Sequence, residues 1–324
     1  MGKLVDGVWH DVWYDTAKTG GAFKRADSSF RHQVSADGSA GIPADGSTEF
    51  PVEAGRYHLF VSLACPWAHR TIIFRKLKRL EAAISLSVVD PLMLEQGWRF
   101  ASPDPLTGAD FLHQVYTTAV PSYTGRVTVP VLWDKRARTI VNNESSEIIR
   151  LMNGPLAALG DASTDYYPAD LAGEIDALNA RIYDAVNNGV YKAGFATAQE
   201  PYEAAYTALF AMLDELEDRL GRNRYLFGDR LTEADWRLFT TLVRFDAVYH
   251  GHFKCNRQPL RSFRNLWGYV RELYQMPGIA ETVSLDHIKR HYYVSQRTVN
   301  PSQVVPMGPT IDFAEPHDRA RLSG

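Results

Sequence analysis

Tyr57-His58-Leu59-Phe60-Val61-Ser62-Leu63-Ala64-Cys65-Pro66-Trp67-Ala68-His69-Arg70 runs from a strand-like stretch through a Cys-Pro step into a helical pattern. Residues 57–61 have the apolar makeup of a short buried strand. Pro66 suits a first helical position, where a missing N–H costs nothing. Ile72, Ile73, Leu77 and Leu80 then recur at helical spacing, which predicts a helix from Cys65 to about Leu80. Downstream, Ile84–Val89 reads as a second strand, closed by Asp90-Pro91. Residues 90–126 form a long excursion with Trp98, Phe100, Pro103, Pro105 and Gly108, and connections of that length are usually functional or disordered. Val127–Trp133 reads as a third strand, Thr139–Val141 as a fourth, and Glu144–Met152 as a helix with an acidic start.

Strand, helix, strand, then strand, strand, helix, with the first helix opening at Cys-Pro, is the order of a thioredoxin-like α/β domain. Residues 56–160 are assigned to it. Residues 1–55 are rich in Gly, Ser, Asp and isolated aromatics with weak periodicity, and read as an irregular N-terminal extension with a surface loop from Ser35 to Ser47. From Tyr167 onward the period is helical almost throughout. Tyr202, Tyr206, Leu209, Leu213, Leu216 and Leu220 step by four, three, four, three and four residues, an unbroken apolar stripe. Thr232 and Asp235 form a capping-box-like helix start, and further helices are expected near 260–275 and 285–292. Residues 161–324 therefore read as an all-α domain with an irregular tail after Asn300.

The chain of 324 residues is 45% hydrophobic and 23% charged, which suits a large buried core. A net charge of −3 argues against non-specific attraction to nucleic acid or an anionic membrane. The first twenty residues mix charges with aromatics and contain no signal-peptide core. Two cysteines, Cys65 and Cys255, are too few for a disulfide framework. A soluble, cytoplasmic protein is expected.

A thiol attacks as thiolate, and a free cysteine with a pKa near about 8.5 is only slightly ionised at neutral pH. The unpaired N–H groups and partial positive charge of a helix N-terminus favour the thiolate. Cys65 sits at such a junction. A lone cysteine is more often a small buried hydrophobe, but the helix start beside Pro66 reverses those odds. In Cys65-Pro66-Trp67-Ala68 the place of a second, resolving cysteine is filled by Ala68, so no local dithiol cycle is available. A single thiol then needs another from solution, and glutathione is the abundant candidate. Cys255, far along the chain, reads as a structural thiol. Pro130 in Thr128-Val129-Pro130-Val131 lacks a ladder donor and fits a strand edge or turn. A cis Val129–Pro130 bond would turn the Val129 backbone outward, where in a thioredoxin fold it faces the thiol and pairs with the cysteinyl backbone of glutathione. Asn143-Glu144-Ser145-Ser146 opens a helix whose free N–H groups and hydroxyls suit a carboxylate.

Ser62-Leu63-Ala64-Cys65-Pro66-Trp67-Ala68-His69-Arg70 closely resembles the active-site motif of glutathionyl-hydroquinone reductases, the Xi class of glutathione transferases. The likeness continues through Gly97–Phe100, Thr128–Asp134, Asn142–Ser146, Val190–Ala196, His291–Tyr293 and Asn300-Pro301, nearly the whole chain. The resemblance implies glutathione transferase architecture and glutathione-dependent reduction of glutathionyl-hydroquinones, with glutathione as co-substrate and no tightly bound cofactor. It implies Cys65 as nucleophile, Tyr191 as proton donor, and Tyr249 and Tyr292 as groups that lower the Cys65 pKa, with Tyr293 an alternative to Tyr292. Trp98, Arg126, Val127, Thr128, Val129, Glu144 and Ser145 match the glutathione contacts, with Pro130 structural at the site. A homodimer through the helical domain is implied in the same way.

Other signals are weaker. His250, His252 and Cys255 lack a clear fourth ligand, and His287 with His291 lacks the glutamate of a zinc protease, so no metal is expected. No phosphate-binding glycine fingerprint follows a strand. An omega-like thiol transferase or dehydroascorbate reductase is an alternative enzyme, and a non-catalytic binder of apolar ligands an alternative of another class. Tyr191 separates the enzymes, since exchange at sulfur needs no proton on carbon.

Overall fold

The computed structural model describes residues 2–36 and 50–322. Most of the loop expected from Ser35 to Ser47 lies outside them. Two units are distinguished by their internal contacts: Met1–Trp13 with Ala26–Asp165, and Tyr14–Arg25 with Tyr166–Gly324.

The first unit begins with β1 (Lys3–Val5) and β2 (Val8–His10), followed in chain order by β3 (Tyr57–Val61), α1 (Pro66–Leu77) and β4 (Ser85–Val88). After these come β5 (Met93–Leu94), β6 (Gly97–Trp98), α2 (Leu112–Ala119), β7 (Gly125–Arg126), β8 (Val131–Asp134), β9 (Thr139–Asn142) and α3 (Ser145–Asn153). Its main sheet runs β4-β3-β8-β9. β4 lies parallel to β3, while β8 is antiparallel to β3 and β9. Every residue of β3 is buried, as an apolar strand covered on both faces must be. α1 and α3 pack together. This is the expected thioredoxin-like order, with element ends shifted by a few residues.

Two parts of this unit differ from the reading of the sequence. The first residues are not irregular throughout: β1 pairs antiparallel with β2 and with β7, placing Lys3 opposite Arg126. Strands of two or three residues carry too little alternation to be legible. The excursion 90–126 holds a β5–β6 hairpin and α2. The α2 start is fixed locally, since the Gln114 side-chain Oε1 accepts from the N–H groups of Asp110 (2.8 Å) and Phe111 (3.0 Å).

The second unit is helical: α4 (Ala172–Ile182), α5 (Gly189–Gly194), α6 (Gln199–Arg222), α7 (Glu233–Leu242), α8 (Arg264–Gln275) and α9 (Leu285–Ser295). Along α6, Leu209, Leu213, Leu216 and Leu220 are buried as the stripe requires, whereas Tyr202 and Tyr206 are half-exposed. A tyrosine keeps its polar end wet, and that of Tyr202 donates to the Lys254 carbonyl at 2.8 Å. At α7 the buried Asp235 reaches back to the Thr232 N–H (2.8 Å), the reciprocal bond of the expected capping box. π-helical turns at Tyr183–Asn187 and Phe245–Tyr249 interrupt the α-helical pattern, features that recur at functional sites.

Residues 14–25 pack in this unit. Phe23 meets Tyr14 (4.7 Å between centroids) and Phe195 (5.3 Å), and the hydroxyls of Thr16 and Thr197 are 2.8 Å apart. Gly21, at φ +87°, lies where a Cβ would come within 2.6 Å of the Ala198 Cβ. Of the isolated aromatics of the N-terminal sequence, Tyr14 and Phe23 are anchors for this contact rather than parts of a repeating face. Among the described residues no helix is long and apolar enough to cross a membrane.

Candidate active site

In the first unit Cys65 is the N-cap of α1, extended at φ −78° and ψ 122°, with Pro66 directly behind it. Its sulfur accepts from the Ala68 N–H at 3.5 Å, and the thiol donates to the Val129 carbonyl at 3.7 Å. Helix donors aimed at sulfur favour the thiolate. The side chain is half-buried and forms no disulfide. The Val129–Pro130 bond is cis.

Tyr116, on α2, is a residue the sequence reading missed. Fully buried, it donates its hydroxyl to the Thr128 carbonyl (2.8 Å) and accepts from the Thr128 N–H (3.3 Å) and the Asn143 amide (3.1 Å). Burial pushes its phenol up to about 12. One hydroxyl thus ties the segment before Pro130 to the segment before α3. Nothing in the sequence around Tyr116 repeats or marks this role.

At the start of α3 the structure departs from expectation. The Glu144 carboxylate itself takes the Ser146 N–H (3.0 Å) and hydroxyl (2.9 Å), and its other oxygen accepts from Ser28 (3.1 Å). The helix N-terminus is therefore partly filled by the protein's own anion. Burial pushes the Glu144 carboxyl up, but the Ser146 bonds, Arg70 and Ser28 outweigh it and hold it below its ordinary value. Ser145 is buried and accepts from Arg70 at 3.4 Å, with the Arg70 guanidinium 4.6 Å above the Trp67 ring.

Trp98 is buried on β6, opposite Met93. Arg126, on β7, donates to the carbonyls of Val12 and Trp13. Val127 is buried and Thr128 half-buried, between Arg126 and Val129. All the proposed glutathione contacts lie in the first unit.

In the second unit Tyr191, Tyr249 and Tyr292 bring three hydroxyls together: Tyr292 is 2.5 Å from Tyr191 and 3.0 Å from Tyr249. Tyr191 rides on α5 just after one π-helical turn, and Tyr249 ends the other. The Phe253 ring backs the group, stacked on Tyr249 at 5.5 Å and edge-on to Tyr191 at 5.4 Å. Gly194 makes room for it, since a Cβ there would fall 2.2 Å from that ring. Burial, with the two neighbouring phenols, raises Tyr292 well above its ordinary value, so it stays protonated near neutral pH. Tyr293 turns aside and donates to the Ala247 carbonyl at 3.4 Å.

Cys255 is fully buried, its thiol pushed far up by burial. His252 binds Gln296 at 2.9 Å. Among the described residues no cluster of three His, Cys, Asp or Glu side chains could hold a metal ion.

The N-terminal domain family of glutathione S-transferases matches residues 64–153, and the C-terminal domain family matches residues 199–272. The chain is 57% identical to the glutathionyl-hydroquinone reductase YqjG of Escherichia coli over 98% of both chains. It belongs to the glutathionyl-hydroquinone reductases. PcpF, the glutathionyl-hydroquinone reductase of Sphingobium chlorophenolicum, is 52% identical over 95% of this chain and 96% of that protein. Among solved structures, glutathione-bound YqjG superposes with a TM-score of 0.89 at 53% identity, covering 98% of this chain and 99% of that one. The Xi-class glutathione transferase of Natrialba magadii gives a TM-score of 0.90 at 49% identity, covering 100% and 98%. For this reductase-family chain the glutathione transferase architecture implied by the resemblance is correct.

Proposed function

We propose that the chain reduces glutathionyl-hydroquinones to hydroquinones with glutathione, through a Cys65–glutathione mixed disulfide. The observation that carries the mechanism is Cys65 at the head of α1, its sulfur taking the Ala68 N–H beside the Val129 backbone. Cys65 thiolate attacks the glutathionyl sulfur, the sulfur–carbon bond breaks, and its electron pair passes to the ring carbon. Tyr191 gives that carbon its proton, which an adjacent phenol is suited to do as negative charge develops. A second glutathione, as thiolate, attacks the mixed disulfide, yielding oxidised glutathione and restoring Cys65; its proton returns to Tyr191. Tyr249 and Tyr292 act as hydroxyl donors that favour the Cys65 thiolate.

Glutathione binding is assigned to Trp98, Arg126, Val127, Thr128, Val129, Glu144 and Ser145. The Val129 backbone would pair with the cysteinyl residue. Glu144, held ionised, suits the ammonium of the γ-glutamyl end better than a carboxylate. Arg126 supplies a cation for a carboxylate. Glutathione serves as co-substrate, with no tightly bound cofactor, in a cytoplasmic homodimer formed through the helical unit.

The test is anaerobic turnover of a glutathionyl-hydroquinone with added glutathione, separating products by chromatography. Hydroquinone and oxidised glutathione in equal amounts are expected. A well-folded protein that forms neither would overturn the reading.

A further inference from the structure

We propose that Arg25 is a positioning residue for proton transfer, its guanidinium over the Tyr191 ring stabilising the phenolate as the proton leaves. The inference rests on the reading of Tyr191 as proton donor. The packing of residues 14–25 against Phe195, Thr197 and Ala198 delivers Arg25 to the start of α5. Its guanidinium carbon lies 5.0 Å from the Tyr191 ring centroid and 5.5 Å from that of Phe23. Arg25 Nε donates to the Asn188 side-chain oxygen at 3.1 Å. The Asn188 carbonyl in turn accepts from the N–H of Tyr191 (3.1 Å) and of Lys192 (2.9 Å). Asn188 is buried, so cation and phenol are tied to the same turn.

A neutral phenol attracts a cation through its ring quadrupole, whereas a phenolate attracts it with a full charge. The contact therefore strengthens along the proton-transfer coordinate, which is the condition for accelerating a step rather than merely binding. A guanidinium keeps its charge at any working pH. The phenols of Tyr292 and Tyr249 are ionisable groups that also face Tyr191. Lys192 is on the same helix and is paired with Asp184, and Arg244 and His252 act on or pack against Tyr292. The Arg25 guanidinium is a cation stacked directly on the Tyr191 ring.

The experiment compares Arg25→Gln, Arg25→Lys and Tyr191→Phe in the full chain, on a glutathionyl-hydroquinone and on a small mixed disulfide of glutathione. Both substrates use Cys65, and only the first puts a proton on carbon. Arg25→Gln is expected to lower the hydroquinone-to-disulfide ratio of kcat/KM by roughly 2- to 30-fold, the rate equivalent of a cation–π contact. It should also move the alkaline limb of hydroquinone turnover to higher pH, since the acid loses its cation and holds its proton longer. Arg25→Lys should recover most of the ratio. Equal losses on both substrates, an unmoved alkaline limb, or Lys behaving as Gln would overturn the proposal. If Arg25→Gln fails to fold, Arg25→Lys alone decides: its alkaline limb stays at the parent's position, or the idea fails. If Tyr191→Phe does not discriminate between the substrates, the acid role of Tyr191 falls and this inference with it. If Tyr191→Phe discriminates and Arg25→Gln does not, only this inference falls.

Discussion

The backbone N–H of Ala68 donates to the sulfur of Cys65 across 3.5 Å, from the position where a dithiol enzyme would carry its second cysteine. That position thus supports the thiolate but offers no second sulfur to resolve a mixed disulfide at Cys65. Ala68 is fully buried and Cys255 is sealed in the other unit, so neither residue offers a second accessible thiol.

Cys65→Ser is therefore expected to fold normally and to lose at least about a thousandfold in turnover, because removing a nucleophile removes the reaction path. Mass spectrometry of the parent enzyme after one turnover without added glutathione should find glutathione on Cys65. Adducts only elsewhere, or an active serine variant, would remove Cys65 from the mechanism.

Tyr191→Phe should depress hydroquinone formation about 10²-fold, within the usual range for a general acid. Exchange with a mixed disulfide should suffer far less. Parallel losses in steady-state assays of the two reactions would place Tyr191 in binding or packing instead.

Tyr292 keeps its proton because burial and its two phenol neighbours oppose ionisation. As a standing donor it should favour the Cys65 thiolate, with Tyr249 beside it. Tyr249→Phe and Tyr292→Phe are each expected to shift the pH midpoint of Cys65 alkylation upward. Profiles that coincide with the parent would end that assignment.

Tyr116→Phe deletes the hydroxyl shared by Thr128 and Asn143. Polar groups left without partners cost about 1–3 kcal/mol in stability. The KM for glutathione should rise more than kcat falls, since the chemistry at sulfur is untouched. Denaturant unfolding and initial-rate kinetics would check both; an unchanged KM would confine Tyr116 to folding.

Burial holds His58 and His252 down at about 4, against 6.5 for an exposed histidine. Between those values the unfolded chain binds more protons than the folded one, so stability rises with pH across that window. The contribution is fully present above about pH 6.5 and is lost as pH falls toward 4. The urea midpoint should be lower at pH 5 than at pH 8, and His252→Gln should flatten the difference. Identical slopes in parent and variant would refute it.

The chemistry of the first unit was legible where a residue type has one local use. A cysteine before a proline at a strand's end marks a helix cap, and Thr232 with Asp235 marks another. The stripe on α6 was legible wherever it is aliphatic and misled only at its tyrosines, which bury one end alone. Tyr116 was not legible, because its partners are set by tertiary packing and α2 is short and rich in β-branched residues. Nor was the filling of the α3 start by Glu144: the sequence displays a helix terminus and a carboxylate, and only the rotamer decides that one occupies the other. Residues 14–25 were obscure because the contacts of Tyr14, Phe23 and Arg25 with one another and with Phe195 and Tyr191 come from tertiary packing and leave no periodic pattern in the sequence.

The chain passes from one unit to the other three times, after Trp13, after Arg25 and after Asp165. Severing it once, at the junction near residue 165, would still leave the helical fragment without the strip that covers Phe195 and carries Arg25. A helical fragment expressed from Tyr166 onward would present a bared aromatic face to its neighbours, and should be recovered as aggregate unless the peptide Tyr14–Arg25 is supplied or fused to it.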